Sequence, residues 1–387
     1  IGIKKIWIEY FIYNPEFSDF NKKDTTILYT DINSKNKSLI FNKKWDIKKL
    51  NLLMGDELHF SLYVKDNNTN IDNTTKSDLL IGRFPSLENI FSEIYSEQDN
   101  TFEAIENIDE SIDNISEVAE DIKLDLLKSE EISWEEKQKL NNTFQDIESI
   151  KEEISKMQNA IEKVLENAES NNLFDENLTE KFEQLQNMLQ NIMSPELQEA
   201  MKQLQEAMKN SNLEDTIEAL ENYEFNIEKF EEQIDRFIDM FELALAEQKL
   251  NEISEHLENM IDKQNDLINN LIDDNNINPL SKKSSKQENR FTNFELLLIE
   301  SQSLIENISD AVSQEINNLI NDPILDSTKK TLNNQTESIN QSNKKKSIIN
   351  SNETNKNLTA ILDFIEQVKK QFNDETKEKL SKEFVNI

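Results

Sequence analysis

"GRFPSLENIFSEIYSEQDN", residues 82–100, holds the last glycine of a 387-residue chain. The chain before this stretch reads as strand, and the chain after it reads as helix. Gly82 sits in a final strand, "DLLIGRF" (78–84), where an isolated glycine marks a bulge or a close backbone approach. Pro85 cannot continue a ladder and biases Phe84 towards extended backbone. Ser86 caps the helix that begins there, Glu88 suits its positive end, and Ile90 reaches back to Pro85 as a staple. Phe84 is expected to pack into the base of the β-domain and to set the angle at which the helices leave. Gly82, Phe84, Pro85 and Ser86 are therefore junction residues with a structural role.

Working back towards the N-terminus, "IKKIWIEYFI" (3–12) is rich in β-branched and aromatic residues. "TTILYT" (25–30), "KSLIF" (37–41) and "KWDIKKL" (44–50) are shorter strand candidates. In "ELHFSLYVKD" (57–66), Leu58, Phe60, Leu62 and Val64 alternate with His59, Ser61, Tyr63 and Lys65, giving one buried and one wetter face. The loop "DNNTNID" (66–72) lacks the ligand spacing and turn glycine of a calcium loop and reads as a polar hairpin loop. These short strands suggest an immunoglobulin-like sandwich, complete or short of its first strands.

Working forward, no glycine follows for 305 residues. Ile105, Ile108, Ile112, Ile115, Ala119, Ile122 and Leu126 step by three and four, the seam of a helix that buries one stripe. Ser133 with Glu136 forms a capping box, and the seam restarts at Leu140, Phe144, Ile147 and Ile154. Ser194-Pro195-Glu196 marks a further start, and Ser211 with Glu214 another. An aromatic stripe, with Tyr223, Phe230, Phe237 and Phe241, runs on to about Leu271. The expected organisation is a β-sandwich-like domain over 1–84, helical coiled-coil hairpins over 85–272, a linker over 273–292 containing Pro279, and a C-terminal helical segment over 293–387. The Asn/Ser/Lys-rich stretch 333–355 reads as a polar helix or a disordered loop. The fold class is mostly α, with a small N-terminal β domain followed by long antiparallel helical hairpins.

Composition narrows the chemistry. Residues 1–86 carry 13 Lys/Arg against 11 Asp/Glu, so the −35 of the whole chain lies beyond them. Nucleic acid and anionic membrane surfaces are poor partners for such a chain. There is no cysteine, which excludes disulfides and thiolate metal sites. With three glycines, none in a phosphate-cradling pattern, and two distant histidines, no nucleotide loop, zinc site or di-iron site can be assembled. His59 and His256 read as surface histidines. The acidic runs read as solvated helix faces. No metal, cofactor or catalytic residue is expected. No run approaches 18 apolar residues, so no membrane span is expected in this chain. The chain opens on Ile-Gly-Ile in what reads as mid-strand, so a longer parent is expected.

Leu52, Gly55-Asp56, Phe60, Asp66-Asn67 and Phe84-Pro85-Ser86 resemble the boundary segment of an uncharacterised family of bacterial envelope proteins, domain-of-unknown-function family 4175. "LKSEEISWEEKQKL" (127–140) and "MSPELQEAMKQLQEAM" (193–208) resemble its helical segments. The resemblance covers roughly residues 1–260. It implies a parent anchored by upstream membrane helices and a location in the cell envelope, on the periplasmic side of a bacterial inner membrane. It implies no chemistry. The expected role is a non-catalytic structural or protein-interaction component that presents acidic helical hairpins to protein partners. The alternatives are a self-assembling coiled-coil homo-oligomer and, more remotely, a hydrolase that uses carboxylates alone.

Overall fold

The computed structural model describes residues 2–13, 23–31, 33, 35–40, 42–50, 56–68, 73–83, 87–129, 131–210, 212–273 and 276–384. It forms two compact units, Ile1–Ser92 and Glu93–Ile387.

In the first unit, β1 (Ile3–Tyr13), β2 (Asp24–Thr30), β3 (Glu57–Asp66), β4 (Thr74–Lys76) and β5 (Leu80–Arg83) make one sheet. Its order is β2-β1-β3-β4, with β5 also pairing β3, and every pair is antiparallel. The register sets Ile6, Ile8, Tyr10 and Ile12 opposite Val64, Leu62, Phe60 and Leu58, which gathers the apolar side chains on one face. Ile6, Ile8 and Leu58 are buried there. The other face carries Trp7 stacked on Tyr63 at 5.3 Å.

The immunoglobulin-like sandwich is not what forms. A sandwich needs a second sheet facing the first, and all five described strands belong to one open sheet. Within "KWDIKKL" a 3-10 turn, Ile47–Leu50, replaces the expected strand. The Trp45 ring reaches Tyr10 at 5.1 Å and Phe60 at 5.6 Å. Ser38–Ile40 of "KSLIF" is irregular, and Phe41 lies outside the described residues. Leu62 is exposed while Ser61 is buried, so alternation along β3 holds only in part.

The helices are α1 (Leu87–Leu126), α2 (Trp134–Asn171), α3 (Glu176–Asn191), α4 (Pro195–Asn210), α5 (Leu213–Asp273), α6 (Leu280–Glu306), α7 (Asp310–Ile320), α8 (Pro323–Asn340) and α9 (Lys344–Phe384). Leu87, Ile90 and Phe91, on the first turns of α1, are buried. Every residue of the Ile105–Leu126 seam is buried within this one chain. Ser133 caps α2 as its sequence implied: its Oγ accepts from Glu136 N at 3.1 Å, and its own N donates to the Glu136 carboxylate at 2.5 Å. At α5 the cap is Asn212, whose Oδ1 accepts from Glu214 N at 3.1 Å. Ser211 lies outside the described residues.

Two antiparallel four-helix arrangements share α5, whose 61 residues span about 92 Å at about 1.5 Å per residue. In the first, Asn114 of α1 reaches Asp146 of α2 at 2.9 Å and Lys123 of α1 reaches Glu224 of α5 at 2.7 Å. Gln158 of α2 donates to the Leu189 carbonyl of α3 at 3.0 Å, and Asn222 of α5 meets Gln203 of α4 at 3.3 Å. In the second, His256 of α5 meets the Arg290 carbonyl of α6 at 3.0 Å. Lys329 of α8 pairs with Glu295 of α6 at 2.7 Å, and Asn355 of α9 reaches Asn265 of α5 at 3.1 Å.

In both arrangements the third arm is a broken helix. α3 and α7 start on capping side chains, Asp175 and Ser309. α4 and α8 each restart at a proline after a cap: Ser194 Oγ accepts from Leu197 N at 3.1 Å, and Asp322 Oδ1 accepts from Ile324 N at 2.8 Å.

One expectation fails in the C-terminal third, and one left open takes its helical alternative. The 273–292 linker is helical from Leu280, because Pro279 sits with helical φ and ψ at the start of α6, where a missing N–H costs nothing. The 333–355 stretch is two helices around a tight turn, α8 ending at Asn340 and α9 starting at Lys344. Residues 293–377 thus belong with the helices before them rather than forming a separate segment.

Candidate functional site

Gly82 pairs with Leu58 in an unbroken register, and a Cβ built there would meet only the Leu58 carbonyl, at 3.9 Å. It marks neither a bulge nor a close approach. Phe84, Pro85 and Ser86 lie outside the described residues, and so does the expected packing of Phe84 into the β-domain. His59 is not a surface histidine. Its ring lies 4.9 Å from Phe11 and 5.5 Å from Tyr13, and its Nε2 is 2.7 Å from Glu57. The His59 bond, with help from Arg83, holds the Glu57 carboxyl below its usual range. His256 is buried too.

The polar groups that do converge lie around the middle of α5. From Leu243 to Ser254 every residue but Lys249 is buried, charged and amide side chains included. Such a segment has no solvent face, so a polar group left unpaired on it is costly. Gln98 of α1 donates to Gln248 at 2.7 Å. Tyr95 of α1 donates to Glu252, and Lys249 donates to the Tyr95 hydroxyl while lying 4.1 Å over its ring. Lys181 of α3 pairs with one oxygen of Glu247, both side chains almost fully buried, and the other Glu247 oxygen has no hydrogen-bond partner among the described residues. Asn251 donates to the Leu173 carbonyl and accepts from Lys369 of α9 at 2.8 Å. Ser254 donates to Glu366 of α9.

Burial sets the electrostatics of this girdle. It raises the Tyr95 hydroxyl strongly, with the nearby Glu252 charge adding to it. It raises Glu247 and Glu252 as well, outweighing the pull of Lys181 on Glu247 and of Lys249 on Glu252. One turn further on, Glu255 is pushed up to about 7 by burial and then by the Glu258 charge, with Glu366 also opposing ionisation and Lys369 favouring it.

A second buried polar layer lies further along α5. Gln264 donates to Gln335 of α8 at 2.5 Å and to the Ser351 carbonyl of α9 at 3.0 Å. Gln335 donates to Ser284 of α6 at 2.8 Å, and Ser284 lies 2.7 Å from Thr336. Gln287 of α6 donates to the Met260 carbonyl at 2.8 Å. This layer separates the long apolar cluster that includes Leu257, Phe294 and Leu358 from a small one that includes Leu267, Leu271 and Ile339.

The grooves of the helical unit include one of ≈ 310 Å³ lined by Glu93, Glu97 and Lys163, and one of ≈ 550 Å³ lined by Lys137, Phe144 and Met208. Neither draws on the girdle residues. Among the described residues no group of three or more His, Asp or Glu is placed to hold a metal ion, and no helix is long and apolar enough to cross a membrane. What the layers can do is fix register, since a helix that slides strands buried donors and acceptors. Comparison with protein-family models, with curated proteins and with solved structures finds no match to this chain.

Proposed function

We propose that the helical unit is a non-catalytic scaffold that binds protein partners on its outer faces. The observation that carries this reading is the continuous α5 shared by two four-helix arrangements, with polar layers pinning its neighbours in register. That architecture positions surfaces rather than enclosing a reaction. The carboxylates that dominate the charge beyond residue 86 favour basic partners. The seams bury one another within a single chain, which removes the need for a second chain to cover them and favours this reading over self-assembly. The envelope location belongs to the same proposal. It rests on the junction residues alone, since no family model matches.

The lack of cysteine makes a direct test simple. Spin labels at Gln145→Cys on α2 and Lys329→Cys on α8 should lie about 40 Å apart along the helix direction, from the helix rise. A narrow distance distribution is expected. A spread comparable to the mean distance would show that the two arrangements move freely against each other and would end the scaffold reading.

A further inference from the structure

One face of the helical unit, along α1 and α5, leaves apolar side chains uncovered. Lys123 of α1 lies 2.7 Å from Glu224 and 3.7 Å from Glu221 of α5, so the last turn of α1 rests against the 221–225 turn of α5. On these turns Leu124 is 46 %, Leu127 63 % and Phe225 53 % exposed. Trp134, the first residue of α2 just beyond the α1–α2 turn, is 77 % exposed. Single exposed apolar residues are ordinary on protein surfaces, but three at one end of the α1–α5 pair, a phenylalanine among them, with the exposed Trp134 on the next helix, are more than that, and aromatic side chains are enriched where interfaces are anchored.

Behind this end the seam between α1 and α5 is acidic from both sides. Glu231 of α5 is held above the usual carboxylate range, first by burial and then by Asp235, Asp113, Asp109 and Glu228. Asp109 and Asp113 come from α1, so carboxylates of two neighbouring helices face one another. Paired helices ordinarily set opposite charges on such flanks. Lys123 neutralises the Glu221–Glu224 end, and Lys229 lies over the Phe225 ring at 4.2 Å. Further along, about 33 Å from Leu124 by the helix rise, Phe102 packs on Phe241 at 5.2 Å and is itself exposed.

We infer that this face docks a basic amphipathic helix of a partner protein, its apolar side chains seated on Leu124, Leu127 and Phe225 and its lysines or arginines on the carboxylate row behind them. The inference deepens the scaffold reading and rests on it. Charge decides the occupant. A second copy of this strongly acidic chain, an anionic membrane or a nucleic acid would each bring like charge to the row. A basic helix brings the counter-charge that the seam lacks and covers the apolar end by the usual helix-in-groove mode.

The test uses the full chain and fluorescent 18-residue peptides read by anisotropy. One peptide is an amphipathic Leu/Lys helix, one a Leu/Glu helix of the same pattern, and one a Ser/Lys peptide of the same charge without an apolar face. The Leu/Lys peptide should bind best, and more weakly as salt rises. Leu124→Ser with Phe225→Ser should weaken it at least tenfold while helicity by circular dichroism is unchanged, because both side chains are exposed. Glu228→Gln with Glu231→Gln and Asp235→Asn should weaken it similarly. Glu176→Gln with Glu180→Gln and Glu183→Gln, which removes three carboxylates from α3, should change it less than twofold. If the α3 variant weakens binding as much as the α5 variant, attraction is general and the face is not a site. Equal binding of the Leu/Glu peptide, or no binding of any peptide, also overturns it. So does a concentration-dependent dimer in sedimentation that the Leu124/Phe225 variant abolishes, which would make the occupant a second copy. Any of these outcomes together with a narrow spin-label distance would defeat this face while leaving the scaffold intact.

Discussion

Replacing Glu255 by glutamine should tighten the contact between α5 and α9 above neutral pH and leave it almost unchanged in acid. Glu255 lies half-buried on α5 with Glu258, and across from it α9 presents Glu366 and Lys369. Ser254 donates to Glu366, Asp262 adds a further negative charge near Glu258, and Lys369 is drawn on by Asp175 at 3.8 Å. Five carboxylates therefore share one ammonium. Of these, Glu255 holds its proton to about pH 7 against an ordinary value of 4.5.

A carboxyl that binds its proton more tightly when folded favours folding in acid. Its contribution is complete below about 4.5 and is lost as pH rises through about 7. At about 1.4 kcal/mol for each tenfold change in proton affinity, the ceiling is about 3.4 kcal/mol. Glu255 keeps part of its surface in water, and screening brings the expected figure to about 1–2 kcal/mol. Glutamine keeps the shape and removes the charge. Amide exchange should be followed in peptides covering Leu358–Phe372 of α9, because a chain of this size need not unfold in one step. The protection of the variant relative to the parent should rise by that amount between pH 5 and pH 8. A difference that is flat with pH, or larger at pH 5, would show that the carboxylates are solvated and that repulsion at this seam is not felt.

The same geometry sets three further outcomes. Lys181→Met leaves Glu247 buried beside Asn373 without a cation and should cost about 3–5 kcal/mol, whereas adding Glu247→Leu should restore most of it; a denaturation-based double-mutant cycle reads the coupling, and additive losses would show the pair is not desolvated. Ser133→Ala removes one half of the capping box and should cost about 1 kcal/mol, seen first as faster amide exchange in the opening turn of α2. Gly82→Ala should be neutral or stabilise the sheet by about 0.4–1 kcal/mol, since the added Cβ meets one carbonyl at van der Waals distance and the unfolded chain loses freedom; a melting temperature lowered by several degrees would restore a special role for this glycine.

The contrast between the two halves of the helical unit explains what could be read from sequence. Up to Leu245 the interior positions are filled mainly by Ile, Leu, Phe, Met and Ala, with Gln98, Thr143 and Lys181 among the scattered polar exceptions, so the period of three and four stands out and the breaks at Ser133 and Pro195 are plain. Beyond it the same period continues through polar residues. On α6 the interior runs Leu280, Ser284, Gln287, Phe291, Phe294 and Leu298, and on α9 it runs Ser347, Ser351, Thr354, Leu358, Ile361 and Ile365. A reading that counts only apolar residues sees a linker where α6 begins and cannot choose between a polar helix and a loop where α8 meets α9. The buried glutamines are held by partners that other helices bring to hydrogen-bond distance, and those partners are distant in the chain, as Gln335 is from Ser284; Ser347 bonds the Asn343 carbonyl next to its own helix, and the buried Ser351 and Thr354 hydroxyls have no hydrogen-bond partner among the described residues. The girdle was hidden for the same reason: Lys181 and Glu247 look like two more surface charges until α3 and α5 are brought side by side. Helical period and capping are local and visible in one segment. Which polar residues are interior is a property of the packed set, and here it is the interior glutamines and the buried ion pair that join α5 to its neighbours.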